Sequence, residues 1–306
     1  MAEQSNNIVV VPAVVVEPAP DVRTPAAGGT AAGGGPVEFG KLKAVLQRFD
    51  VHIADANDLV ALQEYRVVII ADDSGSMQMP AQPAHMRRLD ERAATRWEEL
   101  KETTSFIVDI AASFDSAGVD IFFLNRAKVA NANSSSSRAF QEAFQKLPEG
   151  GTPLTETLRS VAAQCVGERP ILLFIMTDGV PNGGPQNFTR ELRRLVRKES
   201  TNTTFKVQIM ACTGNDDEVA YLDDLDRELH EVDCTDDYYT EKAQVIRAGL
   251  TDKFSRGDWC MKAMLGPVSR KFDQWDERTH NKLLAGKTAF LEQACGCKQD
   301  QLCVIS

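Results

Sequence analysis

The chain has 306 residues, of which 43% are hydrophobic and 25% are charged, a composition typical of a globular protein with one sizeable core. Its formal net charge is -10 and no stripe of lysine and arginine is present, which argues against nucleic-acid binding because phosphate neutralisation needs clustered basic side chains. The sequence also shows no secretory signal and no apolar run long enough to span a bilayer, so we expect a cytosolic protein.

Residues 1–36 differ in composition from the rest of the chain. They are rich in alanine, glycine, proline and valine, carry almost no charge, and end in "TPAAGGTAAGGGP". Such a segment buries too little apolar surface to offset the entropy of ordering, which predicts a disordered leader. Its aliphatic patch "IVVVPAVVV" leaves open a second role, docking on a partner or on a sheet edge.

Residues 37–65 include "KLKAVLQRF", whose apolar spacing predicts a helical lead-in. Short aliphatic runs and amphipathic segments then alternate. The predicted strands are "YRVVII", "VDIFFL", "PILLFIM" and "FKVQIMA", and the predicted helices are "RWEELKETTSFIVDIAASF", "TETLRSVAAQ", "FTRELRRLVRK" and "EVAYLDDLDREL".

This alternation predicts the fold class. Strands made of unbroken valine, isoleucine, leucine and phenylalanine are typical of strands buried on both faces, and alternation with helices makes the sheet mostly parallel. We therefore predict an α/β fold with a doubly wound, mostly parallel, Rossmann-like sheet flanked by helices. In such sheets, ligands bind at the carboxyl ends of the strands.

Three segments at strand ends or helix starts carry hard oxygen donors: "DDSGS", "EGGTPL" and "TDGVPNGG". Carboxylates and hydroxyls suit Mg²⁺, Mn²⁺ or Ca²⁺, and the lack of nearby histidine and cysteine disfavours zinc. On a tight loop, which Gly75 permits, alternate side chains point to the same side. Asp72, Ser74 and Ser76 are therefore expected to converge on one ion.

These segments resemble a known family. The pattern Asp72-x-Ser74-x-Ser76, together with Thr152 in "GGTPL" and Asp178 in "TDG", is similar to the metal-ion-dependent adhesion site of von Willebrand factor type A (vWA) domains. The resemblance covers residues 66–254, with the three motifs in the expected order.

The resemblance implies the roles of the five residues. The hydroxyl groups of Ser74, Ser76 and Thr152 would bind a divalent cation, and Asp72 and Asp178 would act directly or through water. Mg²⁺ is the expected ion, with Mn²⁺ or Ca²⁺ as alternatives. One coordination position would stay open for an aspartate or glutamate carboxylate of a protein partner.

Some neighbouring residues have open roles. Asp73 is expected to be solvated, with hydrogen bonding to loop amides or an electrostatic effect on the site as alternatives. Met77 and Met79 either pack against a bound partner or cover the core. The acidic stretch "YLDDLDRELHEVDCTDDYY" lacks EF-hand spacing and predicts a helix with a solvated acidic face.

Residues 255–306 are predicted to form a helical tail that ends in a prenylation box. The last four residues, "CVIS", match a C-a-a-X motif whose terminal serine favours farnesylation of Cys303. One lipid chain binds membranes only marginally, so Cys295 and Cys297 are candidate palmitoylation sites for a second anchor. The alternatives are an unmodified apolar tail and a CxC metal site.

The seven cysteines of the chain show no zinc-type spacing with histidine and are expected to be reduced.

Three hypotheses follow for the function. The first is a non-enzymatic, lipid-anchored binding module at the cytoplasmic face of a membrane, which binds an acidic group of a partner through a divalent cation. The second is a metal-dependent hydrolase or phosphotransferase, disfavoured because no histidine lies in a catalytic arrangement and no P-loop or G-x-S-x-G motif is present. The third is a scaffold with a structural or vestigial metal site.

Overall fold

A six-stranded sheet covered by helices on both faces organises the residues that the structure describes. The structure is a computed structural model that describes residues 38–51, 58–81, 92–214 and 216–269. The predicted leader, residues 1–36, lies outside these ranges, as do residues 270–306 with the prenylation box.

The described residues form six strands, eight α-helices and two short 3₁₀ segments. The strands are β1 (Arg66–Ala71), β2 (Val119–Phe123), β3 (Val129–Ala132), β4 (Ile171–Thr177), β5 (Phe205–Ala211) and β6 (Val232–Thr235). The α-helices are α1 (Phe39–Arg48), α2 (Arg96–Phe114), α3 (Arg138–Gln145), α4 (Leu154–Gln164), α5 (Pro185–Val196), α6 (Asp216–Glu228), α7 (Tyr238–Arg247) and α8 (Arg256–Leu265). The 3₁₀ segments are Asp58–Glu64 and Gly75–Gln78.

The order of the strands in the sheet is β3-β2-β1-β4-β5-β6, and all neighbouring pairs are parallel except β2 with β3. Alternate residues of the central strands pack into two separate apolar layers. In β1, Val67 and Ile69 face the layer that includes α2 and α8, whereas Val68 and Ile70 face the layer that includes α4 and α5. Burial on both faces explains the unbroken aliphatic runs, and the predicted fold class is confirmed.

The chain reverses its direction of travel across the sheet between β1 and β4. From β1 it passes to β2 and β3 on one side, then returns to β4 on the other side of β1. This is the topological switch point, where doubly wound sheets open a crevice at the carboxyl ends of their strands. We call the side where the parallel strands end the carboxyl edge and the opposite side the amino edge.

One prediction from the acidic stretch Tyr221–Tyr239 is wrong. The stretch is not one helix, since α6 ends at Glu228 and is followed by β6 and α7. Asp233 and Asp237 are buried instead of solvated, and Asp237 caps α7 by accepting hydrogen bonds from the amides of Tyr239 and Thr240. The strand is only four residues long, too short to show a clear alternation in the sequence.

The segments that flank the predicted domain contribute to its core. The lead-in contains α1 and the 3₁₀ segment Asp58–Glu64, and the tail begins with α8, whose residues from Gly257 to Leu265 are all buried. This helix ends at Leu265, and the predicted helical tail from residue 270 onward lies outside the described residues. Among the described residues, no helix combines the length and hydrophobicity that crossing a membrane requires.

Candidate metal site at the carboxyl edge

The two strands at the switch point place the predicted carboxylates side by side. Asp72 follows β1 directly and Asp178 follows β4 directly, and Ala71 pairs with Met176 in the parallel register. The amide of Asp72 donates to the carbonyl of Met176 at 3.0 Å, which extends the pairing beyond the last residue of β1. Sequence-distant motifs therefore meet because adjacent parallel strands end together.

Three predicted ligand oxygens lie at the spacing of neighbouring metal ligands. Ser74 Oγ and Ser76 Oγ are 3.1 Å apart, and Ser76 Oγ donates to Asp178 Oδ1 at 2.8 Å. Around an octahedral Mg²⁺ with Mg–O bonds of about 2.1 Å, adjacent oxygens are separated by about 3 Å. Replacing these two hydrogen bonds by bonds to one ion therefore requires little movement of Ser74, Ser76 and Asp178.

Asp72 is fully buried and lies among hydrogen-bond donors. Its Oδ1 accepts from the amide of Ser74 at 2.9 Å, and its Oδ2 accepts from Thr177 Oγ1 at 2.7 Å. Burial raises the pKa of Asp72, hydrogen bonds from Ser74 and Thr177 lower it, and the neighbouring charge of Asp178 raises it again. A cation beside Asp72 would relieve the cost of burying this charge.

Asp178 is equally buried and forms an ion pair. Arg96 Nη1 donates to Asp178 Oδ2 at 2.8 Å, while Arg96 Nη2 donates to Thr213 Oγ1 at 2.8 Å. Thr213 follows β5, the strand next to β4, so the guanidinium joins two neighbouring loops of the carboxyl edge. Desolvation raises the pKa of the nearby Cys212 thiol well above its usual value, and the charges of Asp178 and Asp72 raise it further.

Thr152 belongs to a loop that is hydrogen-bonded to both of the other motif segments, "DDSGS" and "TDGVPNGG". Its amide donates to Asn182 Oδ1 at 3.0 Å and its carbonyl accepts from the amide of Asn182 at 2.9 Å. Two residues earlier, the carbonyl of Gly150, a residue with φ of +94°, accepts from the amide of Gly75 at 3.1 Å. No hydrogen bond engages Thr152 Oγ1 within the described part of the chain, so this hydroxyl is available to a ligand.

Asp73 has a structural role, and the expectation that it is solvated is wrong. It is fully buried, its Oδ1 accepts from the amide of Asn125 at 2.7 Å, and its Oδ2 accepts from Arg126 Nε at 2.5 Å. Arg126 also donates to the carbonyls of Lys146 and Leu147, in the segment that leads to Thr152. Asp73 thus accepts a backbone amide, the alternative raised from the sequence, and braces the Thr152 loop.

The structure separates the roles of the two methionines beside the site. Met77 is fully buried and belongs to the core layer that includes α2, whereas the exposed fraction of Met79 is 52%. Met77 therefore covers the core, and Met79 is available at the surface beside the serine loop.

The donor set fits a hard divalent cation that depends on hydroxyl ligands. Among the described residues, no group of three or more histidine, cysteine, aspartate or glutamate side chains is arranged to hold a metal ion. An ion at this edge would therefore need the hydroxyls of Ser74, Ser76 and Thr152 in addition to Asp72 and Asp178. Hydroxyl and carboxylate oxygens are ligands that suit Mg²⁺.

Sequence reasoning missed the residues that hold the candidate ligands in place. Thr177 and Asn182 lie inside the oxygen-rich segment, and their polar side chains were a usable signal. Arg96 and Arg126 lie in other parts of the sequence, and no local pattern marks either of them as part of this edge.

A comparison of the sequence with known protein families and with curated proteins gives no match. The resemblance to vWA domains therefore rests on the residues of the three motifs and stays a prediction.

Proposed function

We propose that this protein is a non-enzymatic binding module that binds an acidic group of a protein partner through a divalent cation at the carboxyl edge. The observation that carries the proposal is the spacing of the oxygens of Ser74, Ser76 and Asp178, at 3.1 and 2.8 Å, beside the buried carboxylate of Asp72. Mg²⁺ is the proposed ion because its small octahedral shell matches these separations. Mn²⁺ and Ca²⁺ are the alternatives.

The charge of the site supports recognition of a carboxylate. A divalent ion held by hydroxyls and two carboxylates, one of them shared with Arg96, retains positive charge toward solvent. Ser76 and Thr152 are only half-buried, so a partner group has access to this side of the site. Two apolar side chains beside it, Met79 and Val180, have exposed fractions of 52% and 44% and offer contacts next to a bound acid.

The one histidine that the structure describes lies away from the candidate ligands and supplies no general base for a hydrolase or phosphotransferase at this edge. Among the four histidines of the sequence, His230 is the one that lies in the described ranges. It precedes the parallel strand β6 and so lies toward the amino edge, away from the candidate ligands. A turnover assay with phosphate esters and Mg²⁺ separates the two functions, because a binding module leaves these compounds unchanged.

The test of the binding role is affinity capture from solubilised membranes with the full-length protein as bait, in Mg²⁺ or in EDTA. We expect proteins that are retained in Mg²⁺ and released in EDTA. The double variant Asp72→Asn, Ser74→Ala should lose these proteins in both buffers, because it removes one carboxylate charge and one hydroxyl ligand.

The matched control is Glu142→Gln, which removes one carboxylate charge from the exposed surface of α3. Capture by this variant should equal that of the wild type. Capture by the wild type that is insensitive to EDTA, or that survives in the double variant, would contradict a metal-bridged contact. A calorimetric signal for Mg²⁺ without any Mg²⁺-dependent partner would favour a structural metal site.

We also propose that the C-terminal box attaches the protein to the cytoplasmic face of a membrane. The box lies outside the described residues, and the proposal rests on "CVIS" at Cys303 with Cys295 and Cys297 upstream. Wild type should partition to membranes, Cys303→Ser should be soluble, and Cys295→Ser with Cys297→Ser should bind reversibly, because one lipid chain is marginal and two suffice. Membrane binding of Cys303→Ser at the wild-type level would refute the anchor.

A further inference from the structure

Arg96 carries a buried positive charge at the N-terminus of α2, where the helix dipole disfavours a positive charge. It is the first residue of α2, and the N-terminus of a helix already carries partial positive charge from the helix dipole. Its amide donates to the carbonyl of Met79 at 2.9 Å, which ties this end of α2 to the segment that follows the Ser74 and Ser76 loop. The placement of Arg96 therefore needs compensation from a negative partner.

Asp178 supplies that compensation with the oxygen that faces away from Ser76. The carboxylate is divided between two neighbours: Oδ1 accepts from Ser76 Oγ at 2.8 Å, and Oδ2 accepts from Arg96 Nη1 at 2.8 Å. The bond from Arg96 Nη2 to Thr213 Oγ1, also 2.8 Å, fixes the orientation of the guanidinium. Asp178 thus joins the candidate ligand set directly to a fixed cation.

We propose that Arg96 lowers the affinity of the site for divalent cations and thereby directs the bound ion toward the acidic group of the partner. The proposal rests on the metal-binding role given above. A guanidinium that shares Asp178 with the ion repels it and withdraws part of the carboxylate charge. The ion retains more positive charge for an incoming carboxylate, so Arg96 is a positioning and tuning residue, not a ligand.

The alternative role for Arg96 is purely structural, and it predicts the opposite sign. If Arg96 only holds Asp178 in the correct orientation, its removal disorders a ligand and weakens metal binding. If Arg96 competes with the ion, its removal strengthens metal binding although the metal-free protein becomes less stable. The sign of the change in metal affinity therefore separates the two roles.

The experiment is a calorimetric Mg²⁺ titration of the full-length wild type and of Arg96→Met. We expect Arg96→Met to bind Mg²⁺ at least about tenfold more tightly, equal to about 1.4 kcal/mol of binding free energy. Arg96→Gln, which is neutral but still able to donate a hydrogen bond to Asp178, should shift affinity in the same direction. It also serves as the test variant if Arg96→Met does not fold. Arg96→Lys keeps the positive charge that repels the ion and should stay within about threefold of wild type.

The matched control is Arg169→Met, because Arg169 forms an arginine–aspartate pair of similar geometry at the amino edge, with its Nη1 2.5 Å from Asp115 Oδ2. This variant should lose stability and keep the wild-type Mg²⁺ affinity.

Equal or weaker Mg²⁺ binding by both neutral Arg96 variants, with a saturable signal in wild type, would overturn the role of Arg96 alone. The absence of saturable Mg²⁺ binding in wild type and in all Arg96 variants would overturn the proposed metal site as well. Binding by the neutral variants but not by wild type would support the competition from Arg96 but contradict cation binding by the wild-type site.

Discussion

The two edges of the sheet handle buried charge in different ways. At the amino edge, two aspartates each pair with one arginine: Arg66 Nη2 lies 2.6 Å from Asp120 Oδ2, and Arg169 Nη1 lies 2.5 Å from Asp115 Oδ2. These pairs fasten the starts of β1 and β4 to β2 and to the end of α2. The charges within these two pairs are balanced, so neither pair has an electrostatic need for a further cation.

At the carboxyl edge, one of the buried aspartates has no arginine partner among the described residues. Asp72, Asp73 and Asp178 are all buried, but the ion pairs there are Arg126 with Asp73 and Arg96 with Asp178. Asp72 accepts only neutral donors among the described residues, and its pKa is raised by burial and by the charge of Asp178. The comparison separates two charge-balanced pairs at the amino edge from an unmatched carboxylate beside hydroxyls at the carboxyl edge, which is why we propose a cation at the carboxyl edge.

The largest expected effect comes from removing a carboxylate charge at the carboxyl edge. Asp178→Asn should lower the affinity for Mg²⁺ at least about 100-fold, because one of the two ligand charges is lost while the shape of the side chain is kept. Isothermal titration calorimetry measures this change. The corresponding variant at the amino edge, Asp115→Asn, should leave the affinity unchanged, and a similar loss in both would remove the distinction between the edges.

At the amino edge, the loss of an ion pair should lower the stability of the protein and leave its Mg²⁺ affinity unchanged. Arg169→Met should lower the free energy of unfolding by about 2 kcal/mol, since Asp115 then lacks its half-buried partner and the carbonyls of Gln63 and Tyr65 lose a donor. Urea unfolding in EDTA provides the measurement. A loss below about 0.5 kcal/mol would mean that this pair is not the fastening proposed for the amino edge.

A smaller effect is expected from the hydrogen bond that stabilises Asp72. Thr177→Val keeps the volume of the side chain but removes the hydroxyl that donates to Asp72 Oδ2 at 2.7 Å. The variant should lose about 1 kcal/mol of unfolding free energy in EDTA, because a buried carboxylate oxygen is left without this donor. Saturating Mg²⁺ should restore part of the loss, and an equal loss with and without Mg²⁺ would argue against an ion beside Asp72.

The smallest change in unfolding free energy is expected for a substitution of Met79, which is exposed beside the serine loop. Met79→Gln should change the unfolding free energy by less than about 0.5 kcal/mol and leave Mg²⁺ affinity unchanged, because half of this side chain is exposed. Capture of a Mg²⁺-dependent partner should nevertheless fall, since Met79 lies beside the acid-binding position. Unchanged capture would show that Met79 is not part of the contact surface.

The parts of the fold that the sequence predicted were those with long and regular patterns. The runs that became β1, β2, β4 and β5 were identifiable because both faces of these strands are buried. The short strands β3 and β6 were missed, since each has only four residues and neither repeats a pattern often enough to be distinguished from a loop or helix.

The candidate site was only partly accessible to sequence reasoning. Asp72, Ser74, Ser76 and Asp178 were named because each lies in a short motif, and the structure brings their loops together. The partners of the carboxylates were not named, because ion pairs such as Arg96 with Asp178 join residues that are 82 positions apart. This pair also has a consequence for stability: Asp178→Ala would leave the buried Arg96 without the Asp178 carboxylate, which is costly.

The most direct test of the account is a calorimetric titration of the full-length protein with Mg²⁺, compared with the double variant Ser74→Ala, Ser76→Ala and the control Ser160→Ala on α4. The account predicts one saturable site per chain in wild type and in the control, and loss of that site in the double variant, because the two hydroxyl ligands are then missing. Saturable Mg²⁺ binding that survives in the double variant at wild-type affinity, or no saturable binding in wild type, would contradict it.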